Sequence, residues 1–260
     1  MSFFLKLLFS PDHPLLFEYL GYFDRVLLRQ TCSLLHKTIP LPRGVEKYAA
    51  CDEPARQGLL PALQWARSVK CPLSAETCAL AARGGHLSVL KWARANGCKW
   101  DQRTCDYAAE KGHLAVLQWA RSAKCPWSTE TCALAALGGH LSVLQWLRAN
   151  GCPWNEWTCA DAAEGGHLAV LKWARDNGCP WDECTCIMAA AQHGHLSVLQ
   201  WARANGSPWS ESTCSIAAER GHFSLLKWAR ANGCPWDWRT VRYAKTDEIR
   251  EWALANGCPQ

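Results

Sequence analysis

The sequence predicts an all-α fold in which short helix–turn–helix units stack along the chain. Three observations predict it: a motif that recurs every 27 residues, two helix-favouring segments in each motif, and glycines that separate them. One step is 28 residues long, because an extra residue stands near position 192. A period in this range is typical of solenoids, whose units bury apolar surface only against their neighbours. The regular units begin at Cys71, Cys98, Cys125, Cys152, Cys179, Ser207 and Cys234.

The first regular unit contains the predicted elements in order. Ser74 is expected to cap a first helix over 75–83, since its hydroxyl can accept a hydrogen bond from a free backbone N–H. A Gly-Gly pair ends that helix, and a second helix over 87–95 carries apolar residues at helical spacing. An Asn-Gly pair closes it, with the glycine in the left-handed conformation. The equivalent capping residues are Asp101, Ser128, Asn155, Asp182, Ser210 and Asp237.

The ends of the repeat differ from its middle. The array is predicted to cover 44–260, with a degenerate first unit at 44–70, regular units at 71–233 and a capping unit at 234–260. Atypical terminal units are expected because an end face must meet water. Residues 1–43 precede the array as a separate, small helical segment.

Composition argues against several classes of protein. A net charge of +5, from 28 basic and 23 acidic residues, is too small to indicate nucleic-acid binding by itself. No run of about 18 apolar residues occurs, so no membrane span is expected. The sixteen cysteines mostly form two columns, each with one residue per repeat. Equivalent positions of stacked helices lie about 10 Å apart, whereas a disulfide needs Cα atoms within about 7 Å. We therefore expect reduced, metal-free thiols, although bonds between the two columns remain possible.

Three other columns recur with the repeat, and each has two interpretations. The two tryptophans of a unit either pack, as the main core residue, or form a ladder for nucleobases or sugars; we favour packing. The histidine after the glycine turn either bonds the backbone or binds zinc with the cysteines. The spacing lacks the close Cys-x-x-Cys pairs of zinc sites, which favours the backbone role. The arginine near the end of the second helix either binds the phosphates of a nucleic acid or stacks on a tryptophan, and we favour stacking.

No constellation of residues indicates catalysis. A phosphate-binding glycine loop, a nucleophile elbow and repeated carboxylate pairs are all missing from the sequence. The chain is therefore predicted not to be an enzyme and to need no cofactor.

Partner-binding residues are expected among the positions that escape the repeat. The fourth, fifth, eighth and twelfth places after the first residue of each unit vary most, and places 4, 8 and 12 share one side of the first helix. We expect these places to bind a target protein, with two tryptophans as anchors; the alternative is unconstrained surface. The candidates are Gln102, Arg103, Asp106, Glu130, Trp157, Glu164, Glu183, Ile187, Glu211, Trp238 and Arg242.

The segment Thr-Cys-Ala-Leu-Ala-Ala-x-Gly-Gly-His-Leu-Ser-Val-Leu at 77–90 resembles the helical part of an ankyrin repeat. The resemblance recurs over 59–257 and implies a nearly all-α, protein-binding array whose first helices line a concave side. Ankyrin units run about 33 residues. The shorter units of this chain have Cys-Pro-Trp where an ankyrin unit has its β-hairpin finger. Short units rich in Trp and Cys resemble those of large DNA viruses and protists.

Residues 10–37 resemble an F-box, with a Pro-led helix and then a helix containing Leu-Arg-Gln-Thr-Cys-Ser-Leu-Leu. Ser10 stands where the family has a leucine, and the connection between the helices is short. The resemblance implies that Pro11, Leu15, Leu16 and Leu20 dock on a Skp-type adaptor; the alternative is a helical cap on the array. It implies a monomeric, substrate-recruiting subunit of a cullin–F-box ubiquitin ligase in the cytoplasm or nucleus, or in host cytoplasm if viral. The alternative function is an ankyrin-like binding scaffold without ubiquitin chemistry. A third hypothesis, nucleic-acid binding through the Arg and Trp columns, is disfavoured, and we expect no nucleic-acid or membrane partner in either of the first two cases.

Overall fold

A computed structural model describes residues 49–68, 70–182, 187, 189 and 193–260. The F-box-like segment 1–43, with its four docking residues, lies outside the described residues, and so does Glu183. The chain divides into two compact units after Trp100, and each is described by itself.

Both units are helical, and no β-strand occurs among the described residues, which confirms the all-α prediction. The first unit contains α1 (Ala49–Gln57), α2 (Leu60–Ser68), α3 (Ala75–Arg83) and α4 (Leu87–Ala95). The second contains α5 (Arg103–Glu110), α6 (Leu114–Ser122), α7 (Thr129–Leu137), α8 (Leu141–Ala149), α9 (Glu156–Glu164), α10 (Leu168–Asp176), α11 (Leu196–Ala204), α12 (Glu211–Arg220), α13 (Phe223–Ala231), α14 (Trp238–Arg242) and α15 (Asp247–Ala255). None of these helices is both long and apolar enough to cross a bilayer.

Capping side chains begin the first helix of a unit, as the sequence predicts. The Ser74 hydroxyl accepts a hydrogen bond from Thr77 N at 3.4 Å, and Thr77 Oγ1 accepts one from Ser74 N at 3.2 Å. This reciprocal capping box satisfies two backbone donors that a helix start leaves free. Asp237 accepts from the backbone of its own helix in the same way, but the side chains of Asn155 and Ser210 make no capping bond.

The second helix of each regular unit ends in a backbone turn of one kind. Gly97 has φ +81°, and Cys98 N donates to Ala93 O at 3.0 Å. The left-handed glycine therefore brings the chain back over the last turn and into the next unit. Within most regular units the preceding asparagine also donates its side-chain amide to the carbonyl of the helix tryptophan, as in Asn150 to Trp146 at 2.8 Å.

Small and branched side chains form the core of each unit. In the unit that contains α7 and α8, Cys132, Ala135 and Ala136 of the first helix are buried, together with Val143 and Leu144 of the second. The small residues let α7 pack closely against α5 and α9 in the second compact unit. In the first compact unit α1 packs on α3 in the same way.

The prediction that tryptophan is the main core residue is wrong. The largest fully buried side chains of the described residues are leucines and an isoleucine, and the described Trp rings of both columns are half-buried. Close helix packing around Cys and Ala leaves no interior space for an indole, so the rings cover the edge of the core instead. There the loop ring of Trp127 meets the helix ring of Trp146 edge-on, with centroids 5.9 Å apart.

Candidate functional site

The two tryptophans predicted as anchors are exposed. Trp157 is 45% exposed and Trp238 is 44% exposed, and both are among the few large apolar side chains that the described residues expose. Among the other candidates, Arg103, Glu130 and Arg242 are exposed, and Gln102, Glu164 and Ile187 are half-buried. Glu211 lies at the start of α12.

Asp106 does not belong to an exposed surface. It is 5% exposed, and its Oδ1 accepts a hydrogen bond of 2.5 Å from Thr131 Oγ1 in the next unit. Asp52 accepts from Thr77 at 2.6 Å in the equivalent position of the first compact unit. Burial raises the pKa of Asp106, and the Thr131 hydrogen bond works in the opposite direction. Asp106 therefore faces the neighbouring helix, which corrects the prediction that it is available to a partner.

The ninth place of the unit is accessible, and the sequence analysis missed it. Places 5, 9 and 12 have the spacing i, i+4, i+7, so they lie on one face of the first helix. Variation along the chain is the signal that identifies this place, since it holds Tyr, Leu, Asp and Ile in different units. We call these residues the first-helix stripe; in the second compact unit they are Arg103, Tyr107, Glu110, Glu130, Leu134, Leu137, Trp157, Asp161, Glu164, Ser212, Ile216, Glu219, Arg239 and Tyr243.

Charge is unevenly distributed along this stripe. Helices α7 and α9 carry four carboxylates and no basic residue. Burial, then the charges of Glu164 and Glu130, raise the pKa of Asp161 to about 7. At α5 the charge is balanced, because Arg103 forms an ion pair of 2.9 Å with Asp101. The acidic character is therefore local to α7 and α9.

The other exposed aromatic cluster lies at the last helix pair. The Trp238 and Tyr243 rings are 6.2 Å apart, and the Arg242 guanidinium lies 5.7 Å from the Trp238 ring. Together with Leu254 and Gln260, residues of this cluster line a cavity of about 330 Å³. This end of the stripe therefore combines aromatic surface with positive charge.

Tryptophans and arginines form a second set of recurring contacts within each compact unit, which we call the Trp–Arg ladder. It consists of the loop Trp of each unit, the helix Trp of the same unit, and the Arg two residues beyond that. Arg148, for example, lies 4.1 Å from the ring centroid of Trp154 in the next unit and donates to the Cys152 carbonyl. The same stacking occurs at Arg94, Arg121, Arg175, Arg203 and Arg230. The predicted stacking role of the arginines is confirmed.

The histidine column contacts the backbone of the preceding unit, as predicted. His140 Nε2 lies 3.0 Å from Glu110 O, and His167 Nε2 lies 3.0 Å from Leu137 O. A glycine of the preceding unit makes room for each ring, since a Cβ on Gly139 would be 2.5 Å from His167 Nδ1. These rings therefore join neighbouring repeats through contacts with the backbone.

The described cysteines are buried and form no disulfide, and residues of the two cysteine columns lie close together between successive repeats. Cys78 Sγ lies 2.9 Å from Cys98 Sγ. Hydrogen bonds also link Cys132 with Cys152, Cys159 with Cys179, and Cys214 with Cys234. The bond to its partner thiol, together with burial, raises the pKa of Cys159. In the described part of the chain, no group of three or more His, Cys, Asp or Glu side chains is arranged to hold a metal ion.

Comparisons with known proteins agree with this architecture. A family profile described as "Ankyrin repeats (many copies)" matches residues 159–203. Among solved structures, the chain is similar to the crystal structure of the human ASB11 ankyrin repeat domain, with a TM-score of 0.54 and 17% identity. The match covers 71% of this chain and 98% of that one. No curated protein matches the sequence. These findings show the fold: the chain is an all-α, ankyrin-like helical repeat with shortened loops.

Proposed function

We propose that the repeat array is a non-enzymatic module that binds a target protein through the first-helix stripe. One observation carries this proposal. The repeating columns are occupied by contacts between units, whereas the stripe varies from unit to unit and exposes Trp157. An exposed aromatic ring among varied polar side chains is a typical interface anchor. Ankyrin-like repeats are a protein-binding architecture, which supports the same conclusion.

The finer proposal is that the chain is the substrate-recruiting subunit of a cullin–F-box ubiquitin ligase. In this arrangement Pro11, Leu15, Leu16 and Leu20 dock on a Skp-type adaptor, and the array holds the target near the ligase. The chain itself supplies proximity and no catalytic group. The support is the resemblance of residues 10–37 to an F-box. A ligase subunit of this kind works in the cytoplasm or nucleus, where the many free thiols stay reduced.

The experiment is affinity capture with the full chain and two variants from eukaryotic extract. Leu16→Asp should abolish capture of a Skp-type adaptor and its cullin, while the thermal melt of the array stays within about 2 °C of the parent. Trp157→Ala should retain the adaptor and lose the target. This double dissociation separates the two binding functions within one chain.

Two outcomes would count against the ligase proposal. If the parent chain captures no adaptor and Leu16→Asp destabilises the array, residues 1–43 act as a cap and the module is a plain binding scaffold. If Trp157→Ala on the stripe and Trp238→Ala beside its last residues both leave target capture unchanged, the stripe is the wrong surface.

A further inference from the structure

One face of helix α9 has no partner within the described part of the chain. Trp157, Asp161 and Glu164 share this face through their i, i+4, i+7 spacing. Trp157 is 45% exposed, and its ring makes no aromatic contact with another described residue. The Asp161 and Glu164 carboxylates likewise form no hydrogen bond or ion pair with a described side chain.

The neighbouring helix extends this face. Helix α7 packs against α9 and carries Glu130 at the place that Trp157 occupies in the next unit. Glu130 is exposed and close enough for its charge to act on Asp161. Leu134 and Leu137 are half-buried on the same side of α7 and leave apolar surface beside the carboxylates. We call Glu130, Trp157, Asp161 and Glu164 the acidic face.

We propose that the acidic face binds a basic segment of a partner protein, with an arginine or lysine side chain on the Trp157 ring and its charge among the three carboxylates. The inference rests on the proposed function, because it names the chemistry of the partner that the stripe takes. A cation over an indole is stabilised by the ring, and the aliphatic stem of the same side chain covers apolar surface.

Charge complementarity selects this occupant over others. The three carboxylates have no basic partner among the described residues, so they repel one another, and a cation among them relieves that repulsion. The chain as a whole carries a charge of +5, so a polycation is not attracted by the molecule in general. Binding of a basic segment must therefore come from a local acidic surface. An acidic or phosphorylated partner would meet like charge at α7 and α9.

The test uses fluorescein-labelled hexa-arginine and the full chain in fluorescence anisotropy at about 50 mM salt. Parent protein should bind the peptide. Trp157→Ala, Asp161→Asn and Glu164→Gln should each weaken binding about three- to tenfold, whereas Trp157→Phe should retain most of the affinity because it keeps an aromatic face. Glu248→Gln is the matched control, since it removes an exposed carboxylate of α15 outside the stripe and should leave the affinity unchanged.

The pH dependence gives a readout that a merely structural role would not change. Affinity should rise from pH 6 to pH 8 as Asp161 loses its proton, and Asp161→Asn should remove that rise. The charged groups that act on Asp161 are Glu164 on α9 and Glu130 on α7. Helix α10 also packs on α9. The pKa of Asp161 is not shifted by the charged residues of α10, which are Lys172, Arg175 and Asp176.

Four outcomes would overturn the inference: no peptide binding, equal weakening by Glu248→Gln, a flat pH profile in the parent, or binding of Mg²⁺ alone at this face. The failure of the proposed function looks different. A protein target whose capture depends on Trp157 but not on Asp161 or Glu164 would leave the stripe as a binding surface and remove only its preference for a basic segment.

Discussion

The Trp–Arg ladder and the first-helix stripe differ in how their residues recur. The ladder repeats nearly unchanged because its side chains contact each other, within a unit as Trp127 does with Trp146 and between units as Arg148 does with Trp154. The stripe changes from unit to unit, and at α9 it has two carboxylates that pair with no described side chain, beside the exposed indole of Trp157. Both surfaces are rich in aromatic and charged residues, so composition alone does not distinguish them.

In this chain the recurring positions make structural contacts, and the varying positions form accessible surface. The Trp–Arg ladder has the kinds of aromatic and cationic groups that bind nucleobases in proteins that bind single-stranded nucleic acid. Its guanidinium groups, however, are stacked on rings and bonded to carbonyls, as in Arg175 to Cys179 O at 2.7 Å. At α9 the charges of the stripe pair with no side chain in the described part of the chain, so we expect them to be available to a partner. The following variants test this difference, beginning with the largest expected effect on stability.

Leu144→Ala should cause the largest loss of stability, because it opens a cavity in the core beneath the ladder. Leu144 is fully buried. Truncation of such a leucine costs about 3 kcal/mol, which corresponds to a fall of roughly 10 °C in Tm for a chain of this size. Urea denaturation followed by circular dichroism measures it. Leu134→Ala on the stripe is the control and should cost about 1 kcal/mol or less.

Gly139→Ala should be nearly as harmful, because it blocks the contact between units. Gly139 has φ +75°, and an added Cβ would be 2.5 Å from His167 Nδ1. Gly151→Ala is the matched control, since Gly151 has φ +79° but nothing within 4 Å of its added Cβ. The control measures left-handed strain alone, about 1 kcal/mol, and we expect Gly139→Ala to exceed it by about 1–2 kcal/mol. Equal losses of stability would show that the histidine contact is unimportant.

Trp146→Ala should cost less than the 3–5 kcal/mol typical of a fully buried aromatic ring. The ring is half-buried and packs edge-on against Trp127. About 2 kcal/mol is expected, from lost apolar contact and the aromatic pair. Chemical denaturation beside Leu144→Ala provides the comparison. A loss larger than that of Leu144→Ala would place the ladder at the centre of the core after all.

The helix boundaries were predictable because the capping and turn residues that begin and end each helix lie next to it in the sequence. The first and second helices of the first regular unit begin and end where Ser74, the Gly-Gly pair and the Asn-Gly pair place them. The predicted backbone role of the histidines is also correct, since their spacing excluded the common zinc patterns. These features depend on residues within one turn or one unit of each other.

The exposure of individual side chains depends on the neighbouring unit and was not predictable in the same way. Asp106 is buried because Thr131, one repeat later, donates to it. Burial, the charge of Glu164, and the charge of Glu130 one repeat earlier together raise the pKa of Asp161. The recurrence of the tryptophans at fixed positions indicated that their rings pack against the protein, but it did not show whether they lie inside the core or at its edge. The exposure of Trp157 and Trp238 was predicted, since both stand outside the repeating columns.

Asp161→Asn should stabilise the array at high pH and leave it unchanged at low pH. The pKa of Asp161 is raised from 3.8 to about 7, so the folded protein holds a proton that the unfolded chain releases. The free energy of unfolding therefore falls as pH rises from about 4 to about 7, and the penalty is complete above pH 7. Removing the carboxylate should add about 1 kcal/mol at pH 8. Thermal melts at pH 4 and pH 8 test this, and Glu248→Gln should show no such difference.

Trp157→Ala should have the smallest effect on stability, within about 0.5 kcal/mol of the parent. Its ring is 45% exposed, whereas the ring of Trp146 covers the core and pairs with a second tryptophan. The two substitutions remove the same side chain from the two surfaces, so their difference in unfolding free energy measures what the ladder contributes and the stripe does not. Denaturation of both variants at one pH gives that difference directly. If Trp157→Ala is as destabilising as Trp146→Ala, the ring has a structural contact, and its exposure no longer argues for a binding surface. If Trp157→Ala leaves the free energy of unfolding unchanged but reduces capture of a protein target, then tryptophan has a structural role in the ladder and a binding role in the stripe.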